Sequence, residues 1–226
     1  MNLINEDFCK IMPNHFLTEN VSLFLYSLIK CSRPKNIIEV GFGYSTLFIL
    51  KSIRDIQKEV LPFPEKVFSE EKNTFSGKKY NPTFNVVENY SHQNHIKNYS
   101  CLEKFDTTKN INFINSSIDE YLKSSKEKYD FVWIDFGSAS DYMHFFKIFL
   151  EKLNSGGFII IHSTLDNLFG KLFVTELKLM NSYENSLEIM SIVEPHKSVQ
   201  NSFTIIKKVL DYNIYSVDTN FSSSAL

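Results

Sequence analysis

The stretch Asn36-Ile37-Ile38-Glu39-Val40-Gly41-Phe42-Gly43-Tyr44-Ser45-Thr46 decides the reading of this chain. Its first five residues form a short apolar run, the pattern of a strand buried in a parallel sheet. Gly41 and Gly43 then let the backbone turn sharply and approach a ligand closely. From Thr46 to Gln57 the sequence reads as a helix, so a strand, a glycine turn and a helix follow in series. A nicotinamide dinucleotide site would place a third glycine where Thr46 stands, for close helix packing. No Lys-Ser/Thr phosphate grip follows, which excludes a P-loop.

The same alternation continues outward. Phe84 to Glu88, Ile111 to Ile114, Phe131 to Ile134 and Phe158 to His162 read as further strands. Leu187 to Val193 and Phe203 to Lys208 close the series. Helices are expected from Val21 to Lys30 with Thr18 as N-cap, from Asp141 to Leu153, and from Leu168 to about Met180. Ser155-Gly156-Gly157 reads as a turn before the fifth strand. Strands alternating with helices give a doubly wound α/β sheet. Ligands in such sheets lie beyond the carboxyl ends of the strands.

The chain of 226 residues is long enough for one domain with a real core, and its 43% hydrophobic and 22% charged content is that of a globular protein. We read residues 1-216 as one domain, with an N-terminal helical segment over 1-33 and a flexible tail over 217-226. The first helix and the next strand lie too far apart for a simple return loop. Residues 58-83 are therefore an insertion and a candidate lid, carrying Phe63, Phe68, Phe75 and Tyr80.

Net charge is -2, only Arg33 and Arg54 are arginines, and no basic run exceeds a pair such as Lys78-Lys79. Nucleic acid is thus disfavoured as a partner. No apolar run is long enough for a membrane span. Cys9, Cys31 and Cys101 form no metal-ligand or paired pattern, which fits a reduced, cytoplasmic compartment.

The candidate chemistry falls at strand ends. Glu88 closes the second strand, where a carboxylate can accept hydrogen bonds from ribose hydroxyls. Tyr129 to Gly137 is an apolar strand ending in Asp135-Phe136-Gly137. His162 ends the fifth strand, and histidine is the residue type suited to proton transfer near neutral pH, so it is the best general-base candidate. Glu194, His196, Lys197 and Asn201 lie between the last two strands and could read a polar substrate. His92 and His95 lack a third ligand and read as solvated.

These motifs, in this order, resemble the class I S-adenosylmethionine (SAM)-dependent methyltransferases, closest to small enzymes that modify metabolites. The Glu39-Val40-Gly41-Phe42-Gly43 turn with Ser45-Thr46, the acid Glu88, the Asp135 strand and the Leu153-Asn154-Ser155-Gly156-Gly157 entry carry the likeness, from about Val21 to Val209. The resemblance implies a Rossmann-like seven-stranded sheet with helices on both faces, and methyl transfer to oxygen or nitrogen of a small polar metabolite, an amino acid or natural-product intermediate among them. It implies that Gly41, Gly43 and Ser45 line the methionine part of SAM, and that Glu39 orders the turn or holds the ammonium through water. Glu88 would bind ribose. Ser116 or Ser117 would lie near adenine, with Ile118 packed on the ring. Asp135 would face the ammonium or the acceptor and share the catalytic role with His162. Metal-dependent relatives carry an Asp-Asn pair directly after strand five. Here His162-Ser163-Thr164 stands there and Asp166-Asn167 comes later, so a metal-independent enzyme is expected, with S-adenosylhomocysteine (SAH) as product and a homodimer compatible. An NAD(P)-dependent oxidoreductase and a non-catalytic SAM-binding protein are the alternatives.

Overall fold

A computed structural model describes residues 18–60, 80–89, 111–135 and 137–209. The insertion core at 61–79, His92, His95, Phe136, Cys9, Cys101 and the tail lie outside the described residues. In chain order the elements are α1 (Glu19–Ser32), β1 (Asn36–Val40), α2 (Tyr44–Val60), β2 (Thr83–Glu88), β3 (Ile111–Asn115), α3 (Ile118–Ser124), β4 (Tyr129–Ile134), a 3-10 turn (Ala139–Asp141), α4 (Tyr142–Lys152), β5 (Leu153–His162), α5 (Leu168–Glu184), β6 (Leu187–Val193) and β7 (Ser202–Lys208).

The seven strands form one sheet in the order β3-β2-β1-β4-β5-β7-β6. Strands β1 to β5 run parallel, and β7 is antiparallel to both β5 and β6. The order reverses between β1 and β4, which opens a crevice beyond their carboxyl ends. Helices cover both faces. On one face α1 and α2 pack with Ile37, Trp133, Ile160 and Phe203. On the other, α4 and α5 pack with Ile38, Val132, Ile161 and Ile206. Central strands are buried on both faces, which is why they read as continuous apolar runs.

Asp130 ties the amino ends of the central strands. Its carboxylate accepts from the Lys35 and Asn36 amides at 2.8 and 2.9 Å and from Asn154 Nδ2 at 2.6 Å.

Three details depart from the sequence reading. Strand β5 begins at Leu153 and includes the two glycines, because Leu153 pairs with Tyr129 before a register shift. A glycine pair inside a strand marks such irregularities. Helix α3 had no strong periodic signal, being only 7 residues long; Ser117 caps it by accepting from the Glu120 amide. Thr18 does sit at the start of α1, but it acts through its backbone carbonyl, which accepts from Ser22 at 2.9 Å, and not through its side chain. No helix among the described residues is long and apolar enough to cross a membrane.

Candidate active site

Four strand ends meet at the crevice: Val40 of β1, Glu88 of β2, Asp135 after β4 and His162 of β5. The turn after β1 is fixed from below and from the side. Gly41 has φ +92°, a conformation that side chains other than glycine rarely adopt. Its amide donates to the Val87 carbonyl at 3.0 Å, and the next amide, Phe42, donates to Glu88 Oε2 at 2.8 Å. Glu88 is half-buried and thus holds the glycine turn with one of its oxygens. Around Gly43 the space is open: a Cβ placed there would meet nothing within 4 Å.

Glu39 is fully buried under this turn. Ser45 Oγ donates to its Oε1, and Trp133 Nε1 donates to Ser45 Oγ at 3.0 Å. Its other oxygen, Oε2, is buried with no hydrogen-bond partner. Burial pushes the carboxyl up to about 8. The Asp135 and Glu88 charges add to this, while hydrogen bonds from Ser45 and Thr46 oppose it. A buried polar atom without a partner is rare in folded proteins.

His162 is 2% exposed and packs against Trp133, with ring centroids 5.7 Å apart. Asp135 Oδ1 lies 2.7 Å from its Nδ1. An ionised carboxylate can only accept, so Nδ1 donates to it, and in the neutral ring Nε2 carries a lone pair. Nε2 is buried and has no partner. Tyr142 Oη donates to the His162 carbonyl at 3.0 Å, which fixes the strand end. Burial, with the Asp135 and Asp166 carboxylates, pushes the Tyr142 hydroxyl up to about 12, so it stays a donor at neutral pH.

A cleft of about 350 Å³ opens here, lined by Asp135, Tyr142, His162, Asp166, Asn167 and Gln200 among others. Two of its lining residues, Ser163 (φ 57°) and Gln200 (φ 47°), hold left-handed backbone conformations. Such strain persists only where surrounding contacts impose it, and it gathers at functional sites. Here Ser163 N–H donates to the Ser202 carbonyl at 2.7 Å, and Asp166 accepts from Ser202 Oγ and from the Asn201 amide.

The remaining sequence candidates fall into two groups. Ser116, Ser117 and Ile118 lie beyond β3 at the crevice edge. Ser117 spends its hydroxyl on capping α3, Ser116 Oγ donates to the Ser117 carbonyl, and Ile118 is a core residue at 5% exposed. In the β6–β7 loop, Glu194 is buried and Lys197 Nζ pairs with its Oε2 at 2.9 Å. Asn20 of α1 donates to that same oxygen at 2.7 Å and touches His196 Nε2 at 2.8 Å. Asn201 donates to the Lys197 carbonyl. Trp133 and Tyr142 were not singled out from sequence, and Asp166 was weighed only with Asn167 against the metal-dependent pattern. Only the position of Trp133, two residues before Asp135, could have suggested a neighbour of His162. Among the described residues, no group of three or more His, Cys, Asp or Glu side chains is placed to hold a metal ion.

Comparison with known proteins bears on the family and the fold. Residues 38–164 match the family described as "Methyltransferase domain". No curated protein matches the chain. Among solved structures, the chain is similar to an O-methyltransferase from Bacillus cereus in complex with SAH, at 16% identity and TM-score 0.64, covering 91% of each chain. It is also similar to the O-methyltransferase TomG from Streptomyces achromogenes, involved in tomaymycin synthesis, in complex with SAM, at 14% identity, TM-score 0.63 and 91% of each chain. A third is the SAH-bound methyltransferase PaMTH1 from Podospora anserina, at 15% identity and TM-score 0.58, covering 83% of this chain and 77% of that one. At these identities the structures share a fold with this protein. The family match spans more than half of the sequence, with the glycine turn, Glu88, Asp135 and His162 inside it, and the chain belongs to the methyltransferase-domain family.

Proposed function

We propose that this protein transfers the methyl group of SAM to a nucleophilic atom of a small polar molecule held in the cleft beside Asp135 and His162. The observation that carries the reading is the buried, unpartnered Glu39 Oε2 beneath an open glycine turn, with a histidine–carboxylate pair two strands away. Glu39 would take the ammonium end of SAM, directly or through water. Gly43 leaves room for the chain of the ligand, and Glu88 would bind ribose. Ser116 to Ile118, at the crevice edge, would lie along adenine. SAM, when bound, supplies an electrophilic methyl on a sulfonium sulfur that departs as a neutral thioether. Asp135 holds the His162 ring in one tautomer, and the Nε2 lone pair takes the proton that the acceptor loses. The main remaining task is alignment, with reacting atoms about 3–3.5 Å apart.

The test is methyl transfer from methyl-labelled SAM to small-molecule acceptors, scored by mass spectrometry, with His162→Ala as comparison. Loss of a positioned base lowers turnover by about 10²–10⁴-fold, while SAH affinity stays unchanged. A protein that binds SAH but methylates nothing would support a non-catalytic binder instead.

The same reading places the enzyme in the cytoplasm, supported by the exposed free thiol of Cys31. A homodimer is supported by the exposed row Leu168, Leu172, Leu179 and Tyr183 along α5. Sedimentation velocity of the wild type and Leu172→Glu checks it: a dimer should become a monomer.

A further inference from the structure

Trp133 is the chain's one tryptophan, and it is fully buried in β4. It pairs with Glu39 of β1 on one side and with Ile160 of β5 on the other. Directly paired residues share a sheet face, and so do residues two apart on one strand. Glu39, Trp133 and His162 therefore stand on one face, with the indole in the middle. The indole has two contacts there. Its Nε1–H donates to Ser45 Oγ at 3.0 Å, and its ring packs against the His162 ring with centroids 5.7 Å apart.

The direction of that hydrogen bond matters. An indole N–H can only donate, whereas a hydroxyl gives one proton and accepts twice. The Ser45 proton therefore finds no acceptor at Trp133, and it goes to Glu39 Oε1. Glu39 Oε2 is left as the oxygen without a partner, the atom to which the reading above assigns the ammonium of SAM. Ser45 is fully buried, so it acts on a ligand only through Glu39. Phenylalanine in place of Trp133 would keep a ring beside His162 but leave the Ser45 hydroxyl free to turn. Thr46 would then hold Glu39 alone.

Resting on the methyltransferase reading above, we infer that Trp133 is a positioning residue for the cofactor: its N–H directs the Ser45 proton onto Glu39 and so sets which oxygen receives the ammonium of the methionine end. What it serves is recognition of a primary ammonium, not of the nucleoside.

The experiment is calorimetric titration of the full-length protein with SAH and with 5′-methylthioadenosine, which keeps the nucleoside and the sulfur but has no ammonium. Trp133→Phe should weaken SAH by about tenfold, the order of one buried hydrogen bond, and leave 5′-methylthioadenosine unchanged. A loss of packing alone would weaken both ligands alike. Ser45→Ala should lose the same factor, and the double variant no more than either single one, because both act through one bond. Equal losses for the two ligands, losses that multiply in the double variant, or wild-type SAH affinity in Trp133→Phe would overturn the inference. Tryptophan emission from the wild type comes from Trp133 alone. It should change saturably with SAH, and less with 5′-methylthioadenosine. SAH that binds without changing it would overturn the inference even if the variants do not fold. Failure of the wild type to bind SAH at all would refute the methyltransferase reading, and this inference with it.

Discussion

Glu39 shows how one side chain links stability to ligand binding. Its carboxyl titrates near 4.5 when unfolded and near 8 in the fold, chiefly because it is buried. Between those values the folded chain binds a proton that the unfolded chain has lost. Stability is therefore fully present below the lower value, falls as pH rises through the window, and levels off above the upper one. Glu39→Gln keeps the acceptor for Ser45 and removes the titration. Thermal melts from pH 4.5 to 9 should show a fall in the wild type that the variant lacks, with a slope of at most about 1.4 kcal/mol per pH unit. A ligand ammonium beside Oε2 would favour the ionised form. SAH binding near pH 7 should then release a proton, seen by calorimetry in buffers of different ionisation enthalpy, and Glu39→Gln should not release it.

At the scale of elements, the site depends on how α5 is pressed against the end of β5. Asn167 caps the helix by accepting from the Gly170 amide at 2.9 Å. Gly170 lies so close to the 163–167 turn that a Cβ there would run into the Thr164 carbonyl oxygen. Gly170→Ala must push helix and turn apart, at a cost of about 1–3 kcal/mol. Chemical denaturation should show that loss, and SAH affinity should change little because the glycine turn is on other strands. This contact was not legible in the sequence, since it joins segments through space. The strands were legible: Asn36 to Val40, Phe131 to Ile134 and Phe158 to His162 are apolar on both faces. So was the placement of Gly41, Glu88, Asp135 and His162 at strand ends, because parallel topology puts those ends on one rim. The pairing of Asp135 with His162 needs the β4–β5 register, and the reach of Asn20 to Glu194 needs α1 laid across the sheet. Neither follows from local pattern.

On the scale of the whole molecule, the sheet collects one ligand site on its carboxyl rim and splits it between two kinds of support. The β1, β2 and β4 ends carry the glycine turn and its buried acid. The β4 and β5 ends also carry the Asp135–His162 pair. The division predicts separable losses. Asp135→Asn should lower methyl transfer by a factor near that of His162→Ala, about 10²–10⁴, because the ring loses its anionic partner, and kinetics with SAM as the varied substrate should show kcat falling more than KM rises.

The central claim is that the open turn at Gly43 is a SAM site. Calorimetric titration with SAH and with NAD, on wild type and Gly43→Val, tests it most directly. A Cβ at position 43 meets nothing within 4 Å, so the variant should melt as the wild type does. The wild type should bind SAH and not NAD, and the folded variant should lose SAH. Binding of NAD in preference to SAH, or undiminished SAH binding by Gly43→Val, would contradict the account.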